Sequence, residues 1–288
     1  MDANDPRTEI EEILHLPPLP GTAQQLLSAL ADEDIDTHKL ASLIELDPPL
    51  AARIVGVANS AFFNPVDEVH SVAEAIARVL GLDLVRSLAL GIALSAPFDT
   101  AACASFDLER FWYRAVVTAN LTNGIARLIG LPGDEAETCF LCGLLHNLGQ
   151  LVLVHAFPAR MDELFRRARQ DPELQLTALE ADHLSLDELE AGGIVARRWK
   201  LPSRVVACIA HRHEPASVPG QADFLRLLAY CIELADRLQA DAEAAPPALA
   251  TGGPLLADLE PERLEEMLIG IRQQDGATRA LAAAMSHG

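Results

Sequence analysis

The stretch Gly143-Leu144-Leu145-His146-Asn147-Leu148-Gly149-Gln150 decides how the rest of the chain is read. It opens an apolar run from Leu141 to Phe157, in which one imidazole and one carboxamide stand side by side between two glycines. Glycine has no Cβ, so other backbone can come close there, and the composition of the run is that of a protein interior. Polar groups in such a place need partners. A buried imidazole costs free energy unless a hydrogen bond or a metal takes up its nitrogens. The stretch is therefore an active site or the remnant of one.

Composition narrows the fold around it. A chain of 288 residues holds one large domain or two modest ones. Half of the residues are apolar, 5% are aromatic, and Ala and Leu dominate, which favours an all-α protein over a sheet protein. The formal net charge of -20 weighs against a duplex nucleic acid or an anionic membrane as partner, since both call for a basic footprint. The longest apolar runs, such as Leu88 to Pro97 and Leu151 to Phe157, fall short of the roughly 20 residues needed to cross a bilayer. The first residues, Met-Asp-Ala-Asn-Asp, are acidic where a targeting segment is basic. The five cysteines are odd in number and scattered, so reduced thiols and a cytoplasmic location are expected.

Helix signals recur along the chain. Thr8-Glu9-Ile10-Glu11 reads as a capping box, and the helix after it cannot pass Leu16-Pro17-Pro18-Leu19-Pro20-Gly21. Leu26, Leu27 and Leu30 then share a face, before an acidic run from Asp32 to Asp36. Asp47 followed by Pro48 starts another helix. Ser71-Val72-Ala73-Glu74 is a second capping box, and Gly81 separates two helical runs. A long helix from Phe106 to about Leu128 is followed by the turn Leu131-Pro132-Gly133-Asp134 and a central helix ending near Gly149. Asp162 to Gln170 reads as an exposed charged helix. Further capping boxes fit Thr177-Ala178-Leu179-Glu180 and Ser185-Leu186-Asp187-Glu188, and Gly192-Gly193 marks close helix packing. Leu225, Leu228, Ile232 and Ala235 form the stripe of a late helix. Asp241 to Pro254 is linker-like, and Pro261 opens a last helix through Leu264, Met267 and Ile271. No internal repeat, Gly-rich phosphate loop or strand-period run is visible.

The central stretch resembles the His-Asp signature of HD phosphohydrolases, Gly-Leu-Leu-His-Asp-Ile-Gly-Lys, with Asn147 in place of the Asp and Gln150 in place of the Lys. Other segments resemble the HDOD domain, the HD-related output domain of bacterial signalling proteins. They are Leu16 to Pro20, Leu46-Asp47-Pro48-Pro49-Leu50, Ala58-Asn59-Ser60-Ala61-Phe62-Phe63, Leu80-Gly81-Leu82, Phe111-Trp112, Arg198-Trp199-Lys200-Leu201-Pro202 and His213-Glu214-Pro215. Their order implies an HDOD domain over 16–215. It would comprise an N-terminal helical bundle (16–100) packed on an HD-like helical part (106–215), with a C-terminal helical extension over 216–288.

In HD enzymes the metal is held by an early His, the His-Asp doublet and a late Asp. Carried over, the early ligand falls at Arg114, the doublet at His146 and Asn147, the late Asp at Asp236, and a histidine sometimes present in the family falls at Glu188. His213 is a further survivor. A guanidinium has no lone pair for a metal, and a neutral amide is a poor substitute for a carboxylate. No cofactor is expected; any metal would find His146 and Asp236 alone. Arg114 is expected to pair with Asp236 or to hydrogen-bond near Asn147, a protein cation standing where the dication would be. Cys139, Cys142 and His146 share a helical face, which suggests zinc, but there is no second Cys pair at zinc spacing, and the core reading is preferred. His211 and His213 lie two apart and diverge on a helix. His15, His38, His70, His155, His183 and His287 read as surface or satisfied groups.

The resemblance implies a non-catalytic signal-transduction module acting through protein–protein binding, with a nucleotide messenger as the other ligand class and a homodimer left open. No nucleic acid or membrane partner is expected. The alternative is a metal-dependent HD-type phosphohydrolase acting on a nucleotide or cyclic dinucleotide.

Overall fold

The computed structural model describes residues 17–30, 35–171 and 174–286, with the side chain of residue 134 left out. The Thr8–Glu11 box, His15, His287 and most of the acidic run before Asp36 lie outside these residues. The fold is all-α, with no strand among the described residues.

The N-terminal bundle comprises α1 (Gly21–Leu30), α2 (Thr37–Glu45), α3 (Pro48–Ala58), the short α4 (Val72–Glu74) continued by a π-helical segment (Ala75–Leu80), and α5 (Leu82–Ser95). Local chemistry sets these starts. Asp36 accepts from the Lys39 amide at 2.8 Å and Asp47 from the Leu50 amide at 3.2 Å, with Pro48 in a first-turn position where no amide donor is needed. Ser71 accepts from the Glu74 amide, but Glu74 reaches back to the amide of His70, one residue earlier than a capping box requires. Gly81, at φ +79, divides the π segment from α5. Asn59 pairs both ways with the Val69 backbone at 2.8 Å and so closes the Phe62-Phe63 loop.

The chain continues as α6 (Leu108–Leu128), α7 (Gly133–Leu145), α8 (Leu148–Ala156), α9 (Pro158–Gln170), α10 (Leu176–Leu184), α11 (Glu188–Arg198) and α12 (Ser203–His211). The central helix does not run through to Gly149. It breaks at His146 and Asn147, where the Asn147 backbone leaves helical geometry at φ -100 and ψ 12, and α8 resumes beyond them. Glu135–Ala156 is long and apolar enough to cross a membrane, yet most of it is buried inside the protein. α9 begins at Pro158, four residues before the acidic pattern shows it, because Pro158 supplies the first turn. The box at Thr177 is not used, since α10 begins at Leu176. At the next helix the cap is Asp187, accepting from the Leu189 and Glu190 amides at 2.9 Å, while Ser185 takes a left-handed conformation at φ +56.

Glycine at the expected places lets this half close up. A Cβ on Gly143 would lie 2.6 Å from the Cα of Ala119 on α6. One on Gly149 would lie 1.7 Å from the Glu188 carbonyl oxygen, and one on Gly192 would lie 2.9 Å from the Cα of Gly149. The polar doublet is thus held between two helix crossings that tolerate no side chain.

Three more helices finish the molecule: α13 (Ala222–Ala240), α14 (Pro261–Gln273) and α15 (Asp275–Ser286). α13 and α15 pack on α6, and α15 also reaches α3 in the N-terminal bundle. Leu264, Leu268, Leu281, Ala282 and Met285 are buried. The stretch from Asp241 to Pro254 is not a free linker: Arg272 donates to the carbonyls of Ala242 and Ala244, and Tyr230 to that of Pro247. All five cysteines are buried and unpaired.

Candidate functional site

Arg114 lies two turns into α6, and Asp236 lies on α13 facing it. The guanidinium grips the carboxylate with both forks, Nε to Oδ1 at 2.6 Å and Nη2 to Oδ2 at 2.9 Å. Burial works against the charge on Arg114, but the bonds to Asp236 and the fields of Glu188 and Glu180 outweigh it and raise its pKa. The ion pair expected from the sequence is made.

His146 is fully buried, and its Nδ1 lies 2.7 Å from the Gly143 carbonyl oxygen. That oxygen can only accept, so Nδ1 carries the proton and Nε2 is left with a lone pair and no partner among the described residues. Burial, followed by the cations of Arg114 and Arg212, drives its pKa well below the usual histidine value and keeps the ring neutral. Next to it, Asn147 donates through Nδ2 to the Phe111 carbonyl at 3.3 Å, and its Oδ1 is buried without a partner. The amide thus ties the break between α7 and α8 to the start of α6.

A second cation sits below this pair. Arg212 is 2% exposed, donates through Nη1 to the carbonyls of His146 (2.8 Å) and Ile209 (3.0 Å), and makes an ion pair through Nη2 with the buried Glu188. The Glu188 amide in turn donates at 3.0 Å to the carboxyl of Glu180, which is wholly buried. Burial and then the neighbouring Glu188 push the Glu180 pKa well above the usual carboxyl value. Sequence reading missed both residues. In the sequence Glu180 reads as part of a capping box, and Arg212 stands between two histidines with no pattern of its own. The available signal was the buried carboxylate at Glu188, which demands a cation.

Of the other expected positions, Gln150 and His213 face the same cavity as Arg114, Glu188, Arg212 and Asp236, a space of about 840 Å³. His213 is pulled below the ordinary histidine pKa by burial and then by Arg212. His211 stands apart, with Ser217 near its Nδ1. His155 accepts from the Asp99 amide, and His183 is bonded to Leu179 and Arg167. Burial pushes the Cys139 thiol up to about 12 and the Cys208 thiol well above its usual value, as befits core thiols.

These residues do not fit a divalent cation. Both Asp236 oxygens are engaged by Arg114, Asn147 offers a neutral oxygen, and two guanidiniums bear on His146, whose Nε2 would be the donor. No group of three His, Cys, Asp or Glu side chains is placed to hold a metal among the described residues.

Comparison with known proteins agrees with the fold. A candidate signal-transduction protein from Marinobacter aquaeolei VT8 has 26% identity and superposes with a TM-score of 0.80, over 98% of this chain and 66% of its own. A candidate phosphohydrolase from Shewanella amazonensis SB2B (23% identity, TM-score 0.72, 96% and 97% covered) and an HDOD domain protein from Geobacter sulfurreducens (20%, 0.67, 98% and 98%) share the same fold. An uncharacterised protein of Treponema pallidum (strain Nichols) is 28% identical over 216 residues; they cover 73% of this chain but two fifths of that relative. The HDOD domain family model matches residues 16–215, so the chain belongs to the HDOD domain family, relatives of the HD phosphohydrolases.

Proposed function

We propose that the protein is a non-catalytic regulatory module of a bacterial signalling pathway, working in the cytoplasm by binding a protein partner. The observation that carries this reading is the two-pronged Arg114–Asp236 pair. A metal-dependent hydrolase needs three or more ligands and an open coordination position. Here the late carboxylate is committed to a permanent cation, and the doublet carboxylate is an amide. The HD fold is kept as a scaffold, and the surface it presents does the work.

Metal content and turnover test the reading together. Full-length protein purified without chelators is expected to carry far less than one equivalent of iron, manganese or zinc. It should leave bis(p-nitrophenyl) phosphate and cyclic dinucleotides intact when manganese is added. Changing Arg114→His and Asn147→Asp together is expected to restore metal binding. Stoichiometric metal with phosphodiester turnover in the unaltered chain would return it to the hydrolases.

A further inference from the structure

The loop from Asn59 to Val69, which joins α3 to α4, is fastened more firmly than a connection requires. The Asn59 side chain ties its two ends, donating to the Val69 carbonyl and accepting from the Val69 amide, both at 2.8 Å. Within the loop the amides of Phe63 and Asn64 donate to the Ser60 carbonyl at 3.1 and 3.0 Å. Phe62 and Phe63 meet edge to face, with centroids 4.8 Å apart, and pack half-buried against the core. Asn64 takes a left-handed conformation at φ +41, and Asp67 meets Arg78 of the π-helical segment at 3.5 Å. A loop held in this way is ordered when the chain folds, so a partner that touches it has little left to order.

What the fastening displays is Val66, the most exposed large apolar side chain among the described residues, at 100%. A lone apolar group in water is ordinary; one fixed in a closed loop beside two half-buried phenyl rings is a contact point. Charge decides what can sit on it. From Asn59 to Leu80 there are three carboxylates, Asp67, Glu68 and Glu74, against a single arginine, Arg78, and no lysine. Arg78 serves both Asp67 and Glu74, and Glu68 is exposed beside Val66. A second copy of the chain would bring Asp67 and Glu68 towards their own images across a two-fold axis, and an anionic lipid surface or a nucleic-acid backbone would meet the same repulsion. A cationic protein surface meets attraction instead.

We propose that this loop is a docking knob for a partner protein, Val66 entering an apolar pocket whose rim carries Lys or Arg for Asp67 and Glu68. The inference deepens the protein-binding reading above, on which it rests, by placing the contact on the N-terminal bundle and not at the Arg114–Asp236 pair.

Photo-crosslinking of the full chain in its native host tests it, with benzoylphenylalanine at position 66 and, for comparison, at the exposed Ile269. Irradiation is expected to join position 66, and not 269, to one protein, at a peptide where apolar side chains are flanked by Lys or Arg. That protein, purified, should bind the full chain more weakly as salt rises. Val66→Ser should weaken binding about tenfold, the worth of burying one such side chain, and Asp67→Lys/Glu68→Lys by tenfold or more. All three positions are exposed, so these variants should melt as the parent does, which separates lost docking from a lost fold. Joining of position 66 to a second copy, to lipid or to an acidic segment overturns the proposal. So does equal joining at both positions, joining at neither, or affinity unchanged in the variants. A specific protein joined at 269 alone would keep the protein-binding reading and remove this surface; docking at the loop by a chain that also turns over phosphodiesters would do the reverse, keeping the surface and removing the non-catalytic reading.

Discussion

At the scale of single residues, the buried groups around the doublet predict how stability follows pH. His146 is neutral in the fold, whereas in the unfolded chain it gains a proton below about pH 6.5; its contribution is present above that pH and lost as pH falls through it. Glu180 has the opposite sign. Its folded pKa lies above the ordinary 4.5, so its contribution is full below about pH 4.5 and is lost as pH rises towards the folded value. Above about pH 4.5 and below about pH 6.5 the two slopes oppose each other. Urea unfolding from pH 4 to 9 should show the alkaline decline flattened in Glu180→Gln and the acid decline reduced in His146→Gln. Parallel curves for parent and variants would mean that neither group carries the dependence. Much at this scale was legible in the chain. His146 and Asn147 announce themselves as polar groups in an apolar run, and the mismatch at Arg114 follows from its place after Phe111-Trp112-Tyr113. Arg212 did not, because its need arises from Glu188, which is 24 positions away and comes near only through the fold.

At the scale of elements, Gly149 is where α8 and α11 meet, and it sets how closely the doublet can be enclosed. Gly149→Ala would drive a methyl group into the Glu188 carbonyl, backbone that cannot swing aside. It is expected to cost about 3 kcal/mol or more in chemical denaturation. Gly56→Ala on α3, where a Cβ meets nothing within 4 Å, should instead be neutral or stabilise by up to about 1 kcal/mol through helix propensity. Equal effects at the two positions would discard the close-crossing argument. Helices in this chain were readable from leucine spacing and from Asp-Pro starts, because those signals are local. The break at His146 was not, since the apolar pattern passes straight through it and the interruption comes from Asn147 bonding to Phe111 on another helix. Capping at Asp187 was misplaced by two residues for a related reason: Ser185 is drawn into a left-handed turn that lets Glu188 go inward.

At the scale of the whole molecule, the last two helices are part of the body. Removing everything after Ala240 would strip the cover formed by Leu264, Leu268, Leu281 and Met285, each of which contributes roughly 1.5–3 kcal/mol by burial before the entropy of ordering is set against it. It would also free Tyr113, which donates to Asp275 at 2.5 Å beneath the Arg279 guanidinium. The shortened protein is expected to melt at lower temperature and to bind more of a hydrophobic dye; an unchanged melting curve would make the extension an ornament. The stretch from Asp241 to Pro254 looked free in the sequence because its composition is small and turn-forming, and nothing there foretells that its carbonyls serve Arg272 and Tyr230. The Arg114–Asp236 grip has a practical corollary for anyone moving this module between proteins. One hand of the clasp lies inside the family's boundary at residue 215 and the other twenty-one residues past it, so a graft trimmed to that boundary would arrive with an orphaned guanidinium facing its own hollow.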